Sequence, residues 1–230
     1  NFDLVAQQRV PLHASSEDDR RRLNIRSWDY AQDELGRLWY KTKHSYYLYD
    51  PELGSVEPIT SLNEQFPPEL ASSFLGPGPY GKGILFGVDS QLWQIDIHTK
   101  QGKLIYQLPS DQQRERVEPD SWVIDRNNVL WVTFSGFGLV GIDAESHKTI
   151  YKYDVSNKLP TTSIFSLLLD NDGDIWFGSY GGVMRMDVDS HHIEHFTMVD
   201  GLKTNEFREG ANYRLSNGDL IFGSVNGITR

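Results

Sequence analysis

The 230 residues carry 22 Lys and Arg against 32 Asp and Glu, a net charge of −10. That balance argues against nucleic acid as a partner, because phosphate binding needs a basic face. With no cysteine present, thiol nucleophiles, zinc–thiolate sites and disulfides are excluded. Eleven Tyr, eleven Phe and six Trp stand beside 20 Gly and ten Pro, a mixture that suits short strands and tight turns. No apolar run is long enough for a membrane-spanning helix. The chain opens on Asn1 without a basic-then-apolar leader, and it reads as a mature or excised piece of something longer.

In chain order, LVAQQRVPL (4–12) has the pattern of an outer strand, and ASSEDDRRR (14–22) reads as a solvated loop. A unit then begins that recurs to the end of the chain. Its first copy has Asp33 and Gly36 in a turn, a strand centred on Trp39, and a third strand closing at Asp50. The second copy centres on Leu85 and closes at Asp96, but a Gly/Pro-rich stretch, FLGPGPYGKG (74–83), replaces its turn. The third has Asp125 and Asn128, then Trp131, then Asp143, followed by a more polar strand, TIYKYDV (149–155). The fourth is the clearest: IFSLLLDNDGDIWFGSYGGVMRMD (164–187), with Asp170, Gly173, Trp176 and Asp187, followed by HHIEHFTM (191–198). The fifth has Gly218 and Ile221 and reaches GITR (227–230), inside its third strand. The centres lie 46, 46, 45 and 45 residues apart.

Each copy reads as four antiparallel strands, because apolar residues alternate along GDIWFGS and the D-x-x-G turn is a hairpin device. Its Asp accepts bonds from nearby backbone N–H groups, and its Gly or Asn takes a positive φ. Four strands every 45 or 46 residues predict an all-β fold: a β-propeller of about five four-stranded blades over residues 1–230, without a second domain. Either LVAQQRVPL supplies the missing fourth strand of the last blade and five blades close, or the chain is part of a seven-bladed ring. Trp39, Trp131, Trp176, Phe86 and Phe222 are expected between blades, and Trp28 and Trp122 in first strands as core or channel lining.

The motif D-x-x-G-x-[IL]-W-[FV]-G-[ST] followed by G-[VL]-x-R-x-D resembles the two-component regulator propeller repeat, best in Asp170 to Asp187. The stretch EFREGANYRLSNGDLIFGSVNGITR (206–230) is similar to that family's final repeat. The resemblance implies a periplasmic input region of a bacterial signalling protein whose output is a histidine kinase or diguanylate cyclase. It implies a small-molecule ligand such as an oligosaccharide, adjacent domains of the same receptor as partners, and a homodimer of the full receptor. No cofactor, no metal site and no catalytic residue is expected of this chain.

The acidic turn DNDGDI (170–175) lacks the Gly and Glu of a helix-loop-helix calcium site and reads as a turn. In HHIEH (191–195) a strand would place His191 and His195 on one face and His192 and Glu194 on the other, too few for a closed metal site. No G-x-S-x-G elbow marks a nucleophile. Ligands of propellers commonly bind at the end carrying the second-to-third-strand turns and the loops between blades. There we expect Tyr46, Phe134, Phe137 and Tyr180 to offer rings, and Asp89, Arg116, Glu118, Lys203 and Asn205 to offer polar groups. Two further readings are a polysaccharide hydrolase or lyase, which predicts two acids with raised pKa at that end, and a protein-interaction platform, which predicts a large apolar patch.

Overall fold

The computed structural model describes residues 2–3, 8–9, 16–18, 30–68, 70, 72–109, 117–134 and 136–230. Trp28, Arg116 and most of the 14–22 charge run lie outside them. Two short strands, β1 (Phe2–Asp3) and β2 (Gln8–Arg9), pair with each other. Four four-stranded sheets follow: β3 (Tyr30–Gln32) to β6 (Ser55–Pro58), β7 (Ser72–Pro77) to β10 (Gly102–Gln107), β11 (Pro119–Ile124) to β14 (Thr149–Tyr153), and β15 (Ile164–Leu169) to β18 (Ile193–Phe196). A fifth, β19 (Phe207–Arg214) to β21 (Gly227–Thr229), has three strands. Each is an antiparallel meander in sequence order, as the repeat predicts. The expected closing strand at 4–12 is not formed by its described residues. Gln8–Arg9 pairs with Phe2–Asp3 instead, a partner whose loop costs far less entropy to close.

The chain falls into two compact units, one of residues 1–88 with 93–104, the other of 89–92 with 105–230. In the first, a short helix α1 (Thr60–Gln65) fills the connection between sheets, and Leu62 and Phe66 enter the core. In the second, three successive sheets stack through their faces.

The central strand of each blade explains the core. Side chains alternate across a strand, so the Trp and its successor point to opposite faces. Trp39 packs in one cluster with Phe86 of the next blade, Trp131 with Phe177, and Trp176 with Phe222. Large rings from neighbouring sheets thereby interleave, and Trp39, Trp131, Phe86 and Phe177 are wholly buried. Trp176 alone of the three indoles is half-buried, beside an apolar cleft of about 410 Å³ lined by Val183, Phe196, Leu202 and Leu220.

The turn Asp does more than shape a hairpin. Asp33 Oδ1 accepts from the N–H groups of Leu35 and Arg37, and its Oδ2 accepts from Trp39 Nε1 at 2.9 Å. Asp125 repeats this with Asn127, Val129 and Trp131 Nε1 at 2.7 Å. Asp170 repeats it again with Asp172, Asp174 and Trp176 Nε1 at 2.7 Å. One carboxylate therefore holds the turn and fixes the indole that joins two blades. Gly36, Asn128, Gly173 and Gly218 all take positive φ in these turns, as expected.

The Asp closing each third strand caps the following turn. Asp143 Oδ1 accepts from the N–H and hydroxyl of Ser146, and Asp187 does the same with Ser190. These bonds favour the charged form and hold both carboxyls below the usual range. The fourth residue after them, His147 or His191, takes a positive φ. His191 therefore lies in a turn, outside β18, which corrects its expected place on a strand beside His195. Its ring meets Tyr151 edge-on at 4.3 Å and Trp131 at 5.6 Å, and Nδ1 bonds Tyr153 Oη. His195 Nε2 bonds the carbonyl of Gly181 at 2.8 Å.

Candidate functional site

The innermost strand of four blades carries a bulge at one repeating position. Register shifts occur at Phe74/Gly76, Pro119/Ser121, Ile164/Ser166 and Phe207/Asn212. The intervening residues at 45-residue spacing are Leu75, Asp120, Phe165 and Gly210. Bulges re-aim side chains, and here they do so at the end where the inner strands begin. Where two sister blades place Leu and Phe, the third places a carboxylic acid.

Asp120 is mostly withdrawn from solvent, and its Oδ2 is buried without a hydrogen-bond partner. Burial disfavours the charged form, and the carboxylates of Glu209 and Glu118 repel a further negative charge. Together these push the Asp120 pKa up to about 7. On the neighbouring blade Phe165 is buried at the same bulge, and Tyr180 meets it edge-on at 4.4 Å. Tyr180 remains 54% exposed, so its ring is open to a ligand. The second unit thus holds, on the same end of its inner strands, a protonatable acid, two further acidic side chains and an accessible ring.

The expected site residues divide. Glu118 is half-buried and acts on Asp120, and Tyr180 presents its ring. Phe137 is half-buried in its turn, where its N–H donates to the Phe134 carbonyl. Asp89 is exposed at a positive φ in the turn that follows Val88, and Lys203 is exposed. Asn205 is committed within its own loop, Oδ1 accepting from the Met198 N–H at 2.8 Å. Tyr46 and Phe134 are wholly buried and offer no ring face. Tyr46 donates to or accepts from Ser72 Oγ at 2.9 Å and packs edge-on against Phe74 and Phe86, while Phe134 packs on Tyr106. Both stand just beside the turns where the sequence places them, one residue inside the sheet. Trp122 is half-buried in β11.

Asp120, Phe165 and Glu209 escaped the sequence reading. Asp120 lies beside Ser121 in a strand that continues with Trp122, Val123 and Ile124, and only alignment of the bulges makes it stand out. Among the described residues no group of three His, Asp or Glu side chains is arranged to hold a metal ion.

Successive four-stranded antiparallel meanders that join face to face through central-strand rings define a β-propeller. Residues 158–181 match the family model described as Two component regulator propeller, and the chain carries this family's repeat. A histidine kinase, P4, from Formosa agariphila is 26% identical over 82 residues, covering 35% of this chain and 6% of that protein. Among solved structures, the extracellular domain described for the hybrid two component system BT3049 of B. thetaiotaomicron has a TM-score of 0.67 at 20% identity. That match covers 89% of this chain and 26% of the other. PorZ, a surface component of the type-IX secretion system of Porphyromonas gingivalis, has a TM-score of 0.61 at 17% identity, covering 97% and 34%. These structural likenesses establish the fold. The chain spans about a quarter to a third of the length of those proteins.

Proposed function

We propose that this chain is an extracytoplasmic, periplasmic input module of a bacterial transmembrane signalling protein, with a histidine kinase or diguanylate cyclase as output. It binds a small ligand such as an oligosaccharide and performs no chemistry itself. The repeat in residues 158–181 carries the reading, and the likeness to extracellular domains of two component systems supports it. The open ring of Tyr180 next to Phe165, near polar loops, suits a sugar, whose C–H face stacks on an aromatic ring. Binding shifts a packing equilibrium between adjacent domains or paired receptor chains, by as much as the ligand's affinity differs between the two states.

A thermal-shift screen of the complete extracytoplasmic region against oligosaccharides, amino acids and divalent metals tests it. A ligand at a hundred times its Kd stabilises by about 2.7 kcal/mol. A hit without turnover supports the sensor; absence of any shift refutes direct small-ligand sensing.

One observation favours a second reading, glycan hydrolysis. Asp120 keeps its proton to about pH 7 beside Glu118, and a neutral acid paired with a carboxylate is what glycoside cleavage uses. That reading predicts two acids with raised pKa at this end, and Asp120 is one such acid. Reducing-sugar release that disappears in Asp120→Asn is the result that would favour it over the sensor.

A further inference from the structure

The blade that breaks the repeat builds a cavity. In place of an Asp-capped turn, the second blade has a one-turn 3-10 helix, Pro79–Gly81, between β7 and β8 (Ile84–Val88). Gly78 and Gly83 press against their surroundings: a Cβ at Gly78 would lie 2.7 Å from the Lys82 carbonyl oxygen, and Gly83, at φ +83°, abuts the Ile95 carbonyl. Folded this tightly, the loop throws Tyr80 outward. Tyr80 sits at φ 56° and ψ 28°, a left-handed conformation that costs an aromatic residue energy, and its side chain is 62% exposed. A strained, outward-facing ring is what a binding platform looks like, not a core residue.

Beneath it lies a cavity of about 500 Å³, wholly within the first unit. Its walls come from this loop, from the turn after β9 (Gln91–Ile95), and from Glu34 of the preceding blade. Tyr80, Lys82, Gln101, His98, Lys103 and Glu34 line it, over a floor that includes the buried Ile97. Among the described residues neither Lys82 nor Lys103 makes an ion pair, although the chain as a whole is strongly acidic. Asp96, which also lines the cavity, has Oδ1 committed to the N–H groups of His98 and Thr99. Beside the Glu34 and Asp96 carboxyl groups that also line the cavity, the two unpaired ammonium groups offer charged donors to a ligand's acid group. An exposed ring, a carboxamide and a carboxylate next to them favour a polyhydroxylated body.

We infer that the cavity under Tyr80 is a binding site for an anionic saccharide, with the sugar face on the Tyr80 ring and its acid group on Lys82 and Lys103. The site lies at the end of the strands carrying first-to-second and third-to-fourth turns, the opposite end of a blade from the Asp120 bulge. The inference deepens the sensor reading and rests on it only for the use of binding in signalling.

Calorimetric titration of the 230-residue chain with trigalacturonate, a sulfated chondroitin disaccharide and neutral maltotriose tests it. At least one anionic probe binds saturably at millimolar concentration or below, maltotriose binds far more weakly, and added salt weakens the anion. Lys82→Ala with Lys103→Ala weakens the anion roughly tenfold or more. Tyr80→Gly loses affinity while its melting temperature holds or rises, because glycine relieves the left-handed backbone; a merely structural tyrosine would lose stability instead. The inference is overturned by three outcomes: no binding of either anion, equal binding of maltotriose, or binding unchanged in the lysine variants. The last leaves the sensor reading standing with its site elsewhere, and a negative result with these probes leaves the wider ligand screen to decide that reading.

Discussion

The repeated bond between a turn carboxylate and an indole N–H makes a graded prediction. Replacing Asp125 by Asn keeps the size and the Oδ1 acceptor for Asn127 and Val129, but sets an NH2 donor against Trp131 Nε1. Trp131 is wholly buried, so no water can replace the lost acceptor. Losing a charge-assisted bond there and stranding its donor costs about 2–3 kcal/mol. The same change at Asp170 strands Trp176, which is half-buried beside an open cleft, and water there recovers part of the loss. That variant should lose only about 1 kcal/mol. For a chain of this length each kcal/mol lowers Tm by about 2–4 °C, so Asp125→Asn melts roughly 4–12 °C lower and Asp170→Asn roughly 2–4 °C lower. Urea unfolding followed by tryptophan fluorescence, with Trp131→Phe and the double variant closing a cycle, isolates the pair. Equal losses at both sites, or no coupling between Asp125 and Trp131, would refute the reasoning.

Asp120 makes stability depend on pH in the direction opposite to most acids. Folded, it holds its proton to about pH 7, whereas unfolded it releases it near pH 4. Between those values the unfolded chain binds fewer protons, so this contribution is complete below about pH 4 and lost as pH rises to 7, by up to about 4 kcal/mol. Asp120→Asn should flatten that slope and raise Tm above pH 7; parallel pH–melting curves for the two proteins contradict the assignment. At Gly141, opposite Trp131 in the sheet, a Cβ would lie 2.9 Å from the indole and 3.0 Å from Tyr151. Gly141→Ala should therefore cost about 1–3 kcal/mol by overpacking two stacked rings, and calorimetric melting that matches wild type would show the interface is looser than described.

Spacing alone made the blades legible. A 45- or 46-residue period, alternation in strands such as GDIWFGS, and Asp and Gly at fixed offsets are local properties, and local hydrogen bonding enforces them. So the meander order, the positive φ of Gly36, Asn128, Gly173 and Gly218, and the interior place of Trp39 and Trp131 followed from sequence. The tertiary structure decided what those residues do to one another. That Asp125 reaches the indole six residues on depends on the turn folding its two ends together. Tyr46 and Phe134 lie inside because one residue along a strand separates a turn from a buried face. His191 meets Trp131 because a left-handed turn aims it across blades. Asp120 gains its shifted proton chiefly from burial and from Glu209, 89 residues away in sequence, with Glu118 adding to them. Periodicity is a near-neighbour property and is written along the chain, whereas the electrostatics and open rings of a site arise where distant segments meet.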